Sequence, residues 1–176
     1  RLTKASRYFA YPFDPEELRQ KIEEECRACA SHQDYRMRII LSKSGEIELS
    51  RQVLTPLSPS FCQAKLCLQK ADLQQAFTYF KTTHRPHLTL GKQEIIYHNA
   101  AGELLETSIG NLVLKIDGKL YTPPINLDIL PGIYRQHLLE TGQVEEKVLT
   151  VLDLNHAEAI YGCNAVRGLY ELTLES

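Results

Sequence analysis

No stretch of this sequence is apolar for long enough to cross a bilayer, and no basic segment followed by an apolar one marks a secretory leader. Neither sign of charge is in excess. The 20 Lys and Arg against 22 Asp and Glu leave a net charge of −2, which gives no electrostatic case for nucleic acid or an anionic membrane as partner. There is no internal repeat and no low-complexity tract. Cysteine is too sparse for a disulfide framework: five are present, an odd number at irregular spacing, which suits a reducing compartment and a cytoplasmic protein. Cys26 and Cys29 form a C-x-x-C, but no second pair stands at zinc-finger spacing. Two thiols one helical turn apart then read as partly buried core residues rather than a metal or redox site. His84 and His87 flank Pro86 and cannot share a regular helix face, which removes the other metal candidate. No metal site is expected.

What is present is the composition of an ordinary globular chain, with 176 residues, 43% apolar and 24% charged. That length suits one domain or two small lobes. Arg1-Leu2-Thr3-Lys4-Ala5-Ser6-Arg7-Tyr8-Phe9 reads as a helix already under way, with no cap before it, so residues ahead of Arg1 are expected to be missing. A second helix starts at Asp14-Pro15-Glu16-Glu17, with Asp14 as N-cap, Pro15 at the first helical position and Glu17 completing a capping-box pattern. Leu18, Ile22 and Cys26 give it one apolar stripe. Arg36 to Leu41 and Glu46 to Leu54 are β-rich runs around Ser44-Gly45, a hairpin, and Ala64 to Leu68 is a third strand. Residues 1–75 are thus expected to form a small α+β lobe, and residues 76–176 a larger, β-rich one. The second begins with a strand over Glu94 to Tyr97. A hairpin over Asn111 to Thr122 turns at Asp117-Gly118, and a helix runs from Pro131 to Thr141 with Gly142 at its end. Strands follow at Val144 to Thr150, Ala159 to Cys163 and Leu169 to Leu174. A lysine near the junction of two lobes suits a cleft site.

Three short stretches in fixed order carry the chemistry. Phe80-Lys81-Thr82-Thr83-His84-Arg85 offers an amine after an apolar, aromatic run. Glu106-Thr107-Ser108-Ile109-Gly110-Asn111-Leu112 offers a carboxylate between two strands. Leu130-Pro131-Gly132-Ile133-Tyr134-Arg135 offers a Gly turn that opens a helix. An amine for a Schiff base, an acid for a pyridinium nitrogen and helix-terminal amides for a phosphate are the parts that hold pyridoxal 5′-phosphate (PLP). In this order they resemble the class IV (fold type IV) PLP enzymes, and most closely the aminodeoxychorismate lyase domains fused to a para-aminobenzoate synthase component. The resemblance runs from Arg1 almost to Ser176. It implies a two-lobed α+β fold of the D-amino acid aminotransferase type, here without its first strand, and a homodimer.

The resemblance also implies residue roles. Lys81, in its K-T-T-x-R context ending at Arg85, would be the Schiff-base lysine, its neutral amine made accessible by partial burial. Glu106 would face the pyridine nitrogen, and the backbone amides of Ile133 and Tyr134 would seat the phosphate. Arg1, in an Arg-Leu pair on the first helix, would grip that phosphate as well; an ordinary surface arginine is the alternative. Asn164 and Ala165 would line the cofactor and substrate site, with Arg167 for a substrate carboxylate, although an Asn there also suits a turn. The implied reaction converts 4-amino-4-deoxychorismate to 4-aminobenzoate and pyruvate, a step toward folate that works with or is fused to a chorismate-using synthase. Branched-chain aminotransferases of this fold usually carry a Tyr five positions past the lysine, and here that place is Pro86. The segment from Lys81 to Glu94 is also short, as in the fused lyase domains. Both features disfavour an aminotransferase acting on branched-chain or D-amino acids. A non-catalytic domain of a synthase is the third reading.

Overall fold

In a computed structural model that describes residues 1–69, 75–89 and 91–175, the chain divides into two compact units, Arg1–Pro56 and Leu57–Ser176. The first holds helices α1 (Leu2–Tyr8) and α2 (Pro15–Arg27) and strands β1 (Tyr35–Leu41) and β2 (Ile47–Val53). Asp14 caps α2 by accepting from the Glu16 amide at 2.8 Å. Glu17 does not close a capping box; its carboxylate pairs with Lys21 at 3.3 Å, one helical turn on. Leu18 and Ile22 are half-buried, but Cys26 at the end of the same stripe is exposed. α2 is tied to β2 by polar bonds as well: Lys21 donates to the Ile47 carbonyl at 3.2 Å and Arg51 to the Glu25 carbonyl at 2.7 Å. β1 and β2 pair antiparallel from Tyr35↔Val53 to Leu41↔Ile47. Their turn needs Gly45 twice over, for its φ of +92° and because a Cβ there would sit 2.9 Å from Pro12 Cβ.

The second unit contains β3 (Gln63–Leu68), α3 (Gln75–Tyr79), β4 (Ile95–His98), β5 (Leu104–Thr107), β6 (Asn111–Ile116) and β7 (Lys119–Thr122). A 3₁₀ turn over Ile125–Leu127 follows, then α4 (Ile133–Glu140), β8 (Glu145–Glu146), α5 (Val151–Leu154), β9 (Ala159–Asn164) and β10 (Gly168–Leu174). The strands run β5-β4-β3-β10-β9-β6, and pairing of Glu106 with Asn111 joins β5 back to β6, closing the sheet into a barrel. β7 and β8 extend from the far end of β6. The β6–β7 hairpin turns on Asp117 and Gly118, both at positive φ (51° and 74°), as a two-residue turn between twisted strands requires.

Placement of β3 moves the boundary between the units. It pairs parallel to β4 and to β10, so it belongs to the barrel, and the division falls at Pro56/Leu57 rather than near residue 75. A second expectation changes too. The run Val144 to Thr150 is a strand only at Glu145–Glu146, and Thr150 instead caps α5 through reciprocal bonds with Asp153. β6 shows why this unit has a core. Leu112 and Leu114 join one buried cluster with Ala64, Ile96, Leu104, Leu149, Ile160 and Leu172, while Val113 between them packs with Leu138 of α4, Val144 and Cys163. Both faces of the strand are covered, so its near-continuous apolar run fits a central strand. Among the described residues no helix is long and apolar enough to cross a membrane.

Candidate cofactor site

β5 is buried along its whole length, and the same strand that contributes Leu104 and Leu105 to the core carries Glu106 inward, 2% exposed. Three groups meet its carboxylate. Arg85 Nη2 lies 3.3 Å from Oε1, His87 Nε2 lies 3.8 Å from the same oxygen, and the Leu130 amide donates to Oε2 at 3.4 Å. All three contacts are long, so loss of water outweighs them. Burial pushes the Glu106 carboxyl up to about 7, against the opposing pull of Arg85, the Leu130 amide and the charge of Lys81. Burial likewise lowers the Arg85 guanidinium from its ordinary range, with Glu106 opposing. His87 is pushed down to about 4 by burial and by the neighbouring Arg85 charge, so its imidazole is neutral near pH 7. Among the described residues, Arg85 Nε and both His87 ring nitrogens are buried without a hydrogen-bond partner. A carboxylate held loosely beside unsatisfied donors is a site with capacity left for a cationic N–H.

The turn after Glu106 builds a cradle at this end of the barrel. Asn111, the first residue of β6, donates from Nδ2 to the Leu130 carbonyl at 2.8 Å. Gly132 caps α4 without any side-chain bond, and a Cβ there would run into Asn111 Oδ1. Hence the chain enters α4 pressed against Asn111, and the first amides of α4, Ile133 and Tyr134, have no acceptor within their own helix. The β9–β10 turn closes the other side. Asn164 Oδ1 accepts from the Val166 and Arg167 amides at 3.0 Å each, and its Nδ2 donates to the Ile109 carbonyl at 3.3 Å. Gly168, at φ +67°, leaves room for Tyr134, whose hydroxyl would lie 3.3 Å from a Cβ there.

Glu106, Lys81, Tyr134 and Asn164 are thus linked through one end of the second unit, by the contacts just given and by the Lys81 charge felt at Glu106. Lys81 is exposed rather than partly buried: Phe80 turns into the core, 9% exposed, and the next residue points outward. Ile133 is 52% exposed at the first position of α4, and Ala165 is exposed in the β9–β10 turn. Arg167 is half-buried, with its charge acting on Cys62. Arg1 stands at the N-cap of α1 in the first unit. The turn-forming role of Asn164 is realised, and the same side chain reaches the β5–β6 turn. Sequence reasoning did not anticipate the ion pair of Arg85 with Glu106, the burial of His87 or the Asn111–Gly132 contact. Arg85 was within reach, since it closes the lysine motif; the others needed the barrel. Among the described residues no cluster of His, Cys, Asp or Glu could hold a metal ion.

The chain belongs to the amino-transferase class IV family, whose model matches residues 1–173. This is a family of PLP-dependent enzymes. An aminodeoxychorismate lyase from Vibrio harveyi is 27% identical over 120 residues, 61% of this chain and 44% of that protein. A provisionally assigned branched-chain-amino-acid aminotransferase from Thermotoga maritima is 32% identical over 92 residues, 46% of this chain and 34% of that protein. The chain thus matches less than half the length of either relative. Among solved structures, a provisionally assigned amino-acid aminotransferase from Mesorhizobium loti superposes with a TM-score of 0.83 at 26% identity, covering 99% of this chain and 88% of that one.

Proposed function

We propose that this protein is a PLP-dependent lyase that converts 4-amino-4-deoxychorismate to 4-aminobenzoate and pyruvate. The observation that carries the cofactor reading is Glu106, a buried carboxyl with spare acceptor capacity, joined through Leu130 and Asn111 to the uncapped start of α4. The residues of the second unit fit PLP: an acid for the ring nitrogen, helix-terminal amides of Ile133 and Tyr134 for the phosphate, and Lys81 as the anchoring amine. When bound, the cofactor supplies an electron sink for charge left on a substrate carbon. Lys81 Nζ takes the proton from the substrate carbon that bears nitrogen. The C–O bond to the enolpyruvyl group then breaks, its electron pair leaving with the oxygen; the enolpyruvate takes up the proton held by Lys81 and tautomerises to pyruvate, and the substrate's own ring becomes aromatic. Glu106 would hold the cofactor's ring N–H and help to keep it protonated. Asn164 and Ala165 border the substrate, and Arg167 meets a carboxylate.

Support for a lyase over an aminotransferase comes from Pro86 where aminotransferases of this fold carry Tyr, from the short link between Lys81 and Glu94, and from the Vibrio harveyi relative. Such a protein would work in the cytoplasm, in folate synthesis, as a homodimer, beside or fused to a chorismate-using synthase. The Thermotoga maritima relative favours a second reading, an aminotransferase on branched-chain or D-amino acids. The decisive experiment supplies aminodeoxychorismate, made in situ by a synthase, to the full-length protein with PLP. 4-Aminobenzoate and pyruvate should form with no 2-oxo acid acceptor, and borohydride should fix the cofactor to Lys81 in peptide maps. Turnover of amino acids that requires an acceptor, with no 4-aminobenzoate, would promote the second reading. A folded protein that takes up no PLP would leave a non-catalytic domain. Sedimentation at micromolar concentration should give twice the chain mass, and monomer alone would remove the dimer.

A further inference from the structure

His87 is the least explained polar group in the second unit. Its side chain has no exposed surface, and among the described residues neither ring nitrogen has a hydrogen-bond partner and Glu106 is the acid that lies within 4 Å of it. An apolar residue would fill the same space without leaving two polar atoms buried and unpaired. The geometry around Glu106 is lopsided. Arg85 Nη2 at 3.3 Å and His87 Nε2 at 3.8 Å converge on Oε1, whereas Oε2 receives, among the described residues, the Leu130 amide alone at 3.4 Å. A movement of under about 1 Å would bring the His87 pair into hydrogen-bonding range.

We propose that His87 is a positioning residue for Glu106: its Nε2–H donates to Oε1 beside Arg85, fixing the carboxylate so that Oε2 is presented to the cofactor's ring nitrogen. This rests on the reading that Glu106 faces that nitrogen. A neutral donor is the suitable partner there. Arg85 already places one full positive charge against the carboxylate, and a second would cancel the negative charge that a cationic ring nitrogen needs. The groups facing this pair are Arg85 and Lys81 from the segment after α3, the Leu130 amide from the loop before α4, and Tyr97 of β4 beside Arg85. Within this set the Arg85 charge and burial both favour the neutral imidazole.

Two measurements on the cofactor-free full chain test the contact directly. Imidazole ¹⁵N shifts should show His87 as the neutral Nε2–H tautomer at pH 7; the Nδ1–H tautomer would overturn the proposal. The Glu106 carboxyl ¹³C titration should move up by about half a unit to one unit in His87→Leu, since a donor to the charged form is lost. It should return toward the wild-type midpoint in His87→Gln, which keeps a donor at a similar reach. With PLP added, the Leu variant should bind it about threefold more weakly, equal to about 0.7 kcal/mol, and the Gln variant much less so. His87→Phe takes the place of Leu if that variant does not fold. A folded Leu or Phe variant with an unmoved Glu106 midpoint, or equal shifts in the Gln and apolar variants, would show that His87 only fills space. If the wild-type chain takes up no PLP, the functional reading fails, while the tautomer and the carboxyl titration still decide whether His87 bonds to Glu106.

Discussion

Glu106 and His87 touch, yet they load the stability of the fold in opposite directions. The Glu106 carboxyl rises from 4.5 to about 7 in the folded chain, so the folded state holds more protons between those values and stability falls as pH rises through them. The whole change is on the order of 3 kcal/mol for a fully buried group. His87 drops from 6.5 to about 4, so the unfolded state holds more protons there and stability climbs across that window. Over the shared range the two slopes oppose, and single substitutions expose each. Urea unfolding of cofactor-free Glu106→Gln should show stability rising from pH 4.5 to 6.5 more steeply than wild type, and His87→Gln should show it falling from pH 5 to 7. Parallel curves for all three proteins would mean the pair is not buried as described. In the loaded enzyme, Glu106→Ala should lower turnover roughly 100-fold or more while PLP affinity changes by less than about tenfold, since the lost charge acts mainly as the reaction proceeds. Equal turnover would remove Glu106 from the chemistry. The sequence could offer Lys81, Glu106 and the α4 amides as candidates because each lies in a short local pattern. It could not reveal the partners of Glu106. Arg85 is 21 residues away in sequence and is brought near only by tertiary structure; His87 was legible only as a rejected metal ligand.

At the scale of elements, turn chemistry marked its hairpins correctly and most apolar runs became the expected strands, with one exception. Ser44-Gly45 and Asp117-Gly118 make the expected hairpins, since backbone at positive φ leaves few residue choices. Val144 to Thr150 looked like one strand, but Val144 packs under α4, Leu149 joins the opposite cluster, and the Thr150–Asp153 capping box starts α5. A mixed apolar run cannot say which of two cores each residue enters. One close approach was invisible in sequence. Tyr170 of β10 lies across Gly162 of β9 and reaches Glu94 with its hydroxyl at 3.0 Å, while Ser108 also donates to that acid. A Cβ on Gly162 would overlap the Tyr170 ring. Gly162→Ala should therefore cost roughly 1–3 kcal/mol in urea unfolding. Much of that loss should be absent when the change is made in a Tyr170→Ala background. Additive losses in the double variant would mean the ring moves aside without strain.

At the scale of the whole molecule, the two units differ in how much core they own. The three buried apolar clusters lie entirely within Leu57–Ser176, from Ala64 to Leu172. Among the described residues of Arg1–Pro56, Ile47 is the only buried hydrophobic side chain and Ser6 the only buried polar one. This contrast could not be read from residue order, because Ala64 to Leu68 looked like a third strand for the small sheet. Only the pairing of β3 with β4 and β10 assigns that strand to the barrel. Ordering a residue costs about 1–2 kcal/mol of conformational entropy, and a 56-residue segment with one buried apolar side chain has little to set against it. The fragment Leu57–Ser176 should then unfold in one cooperative urea transition by circular dichroism and near-ultraviolet absorbance. The fragment Arg1–Pro56 should show no cooperative transition alone, with at most residual helix from α2, whose Asp14 cap and Glu17–Lys21 pair act locally. A sharp transition in the isolated N-terminal fragment would mean that the half-buried Leu18, Ile22 and Leu49 around Ile47 already suffice as a core.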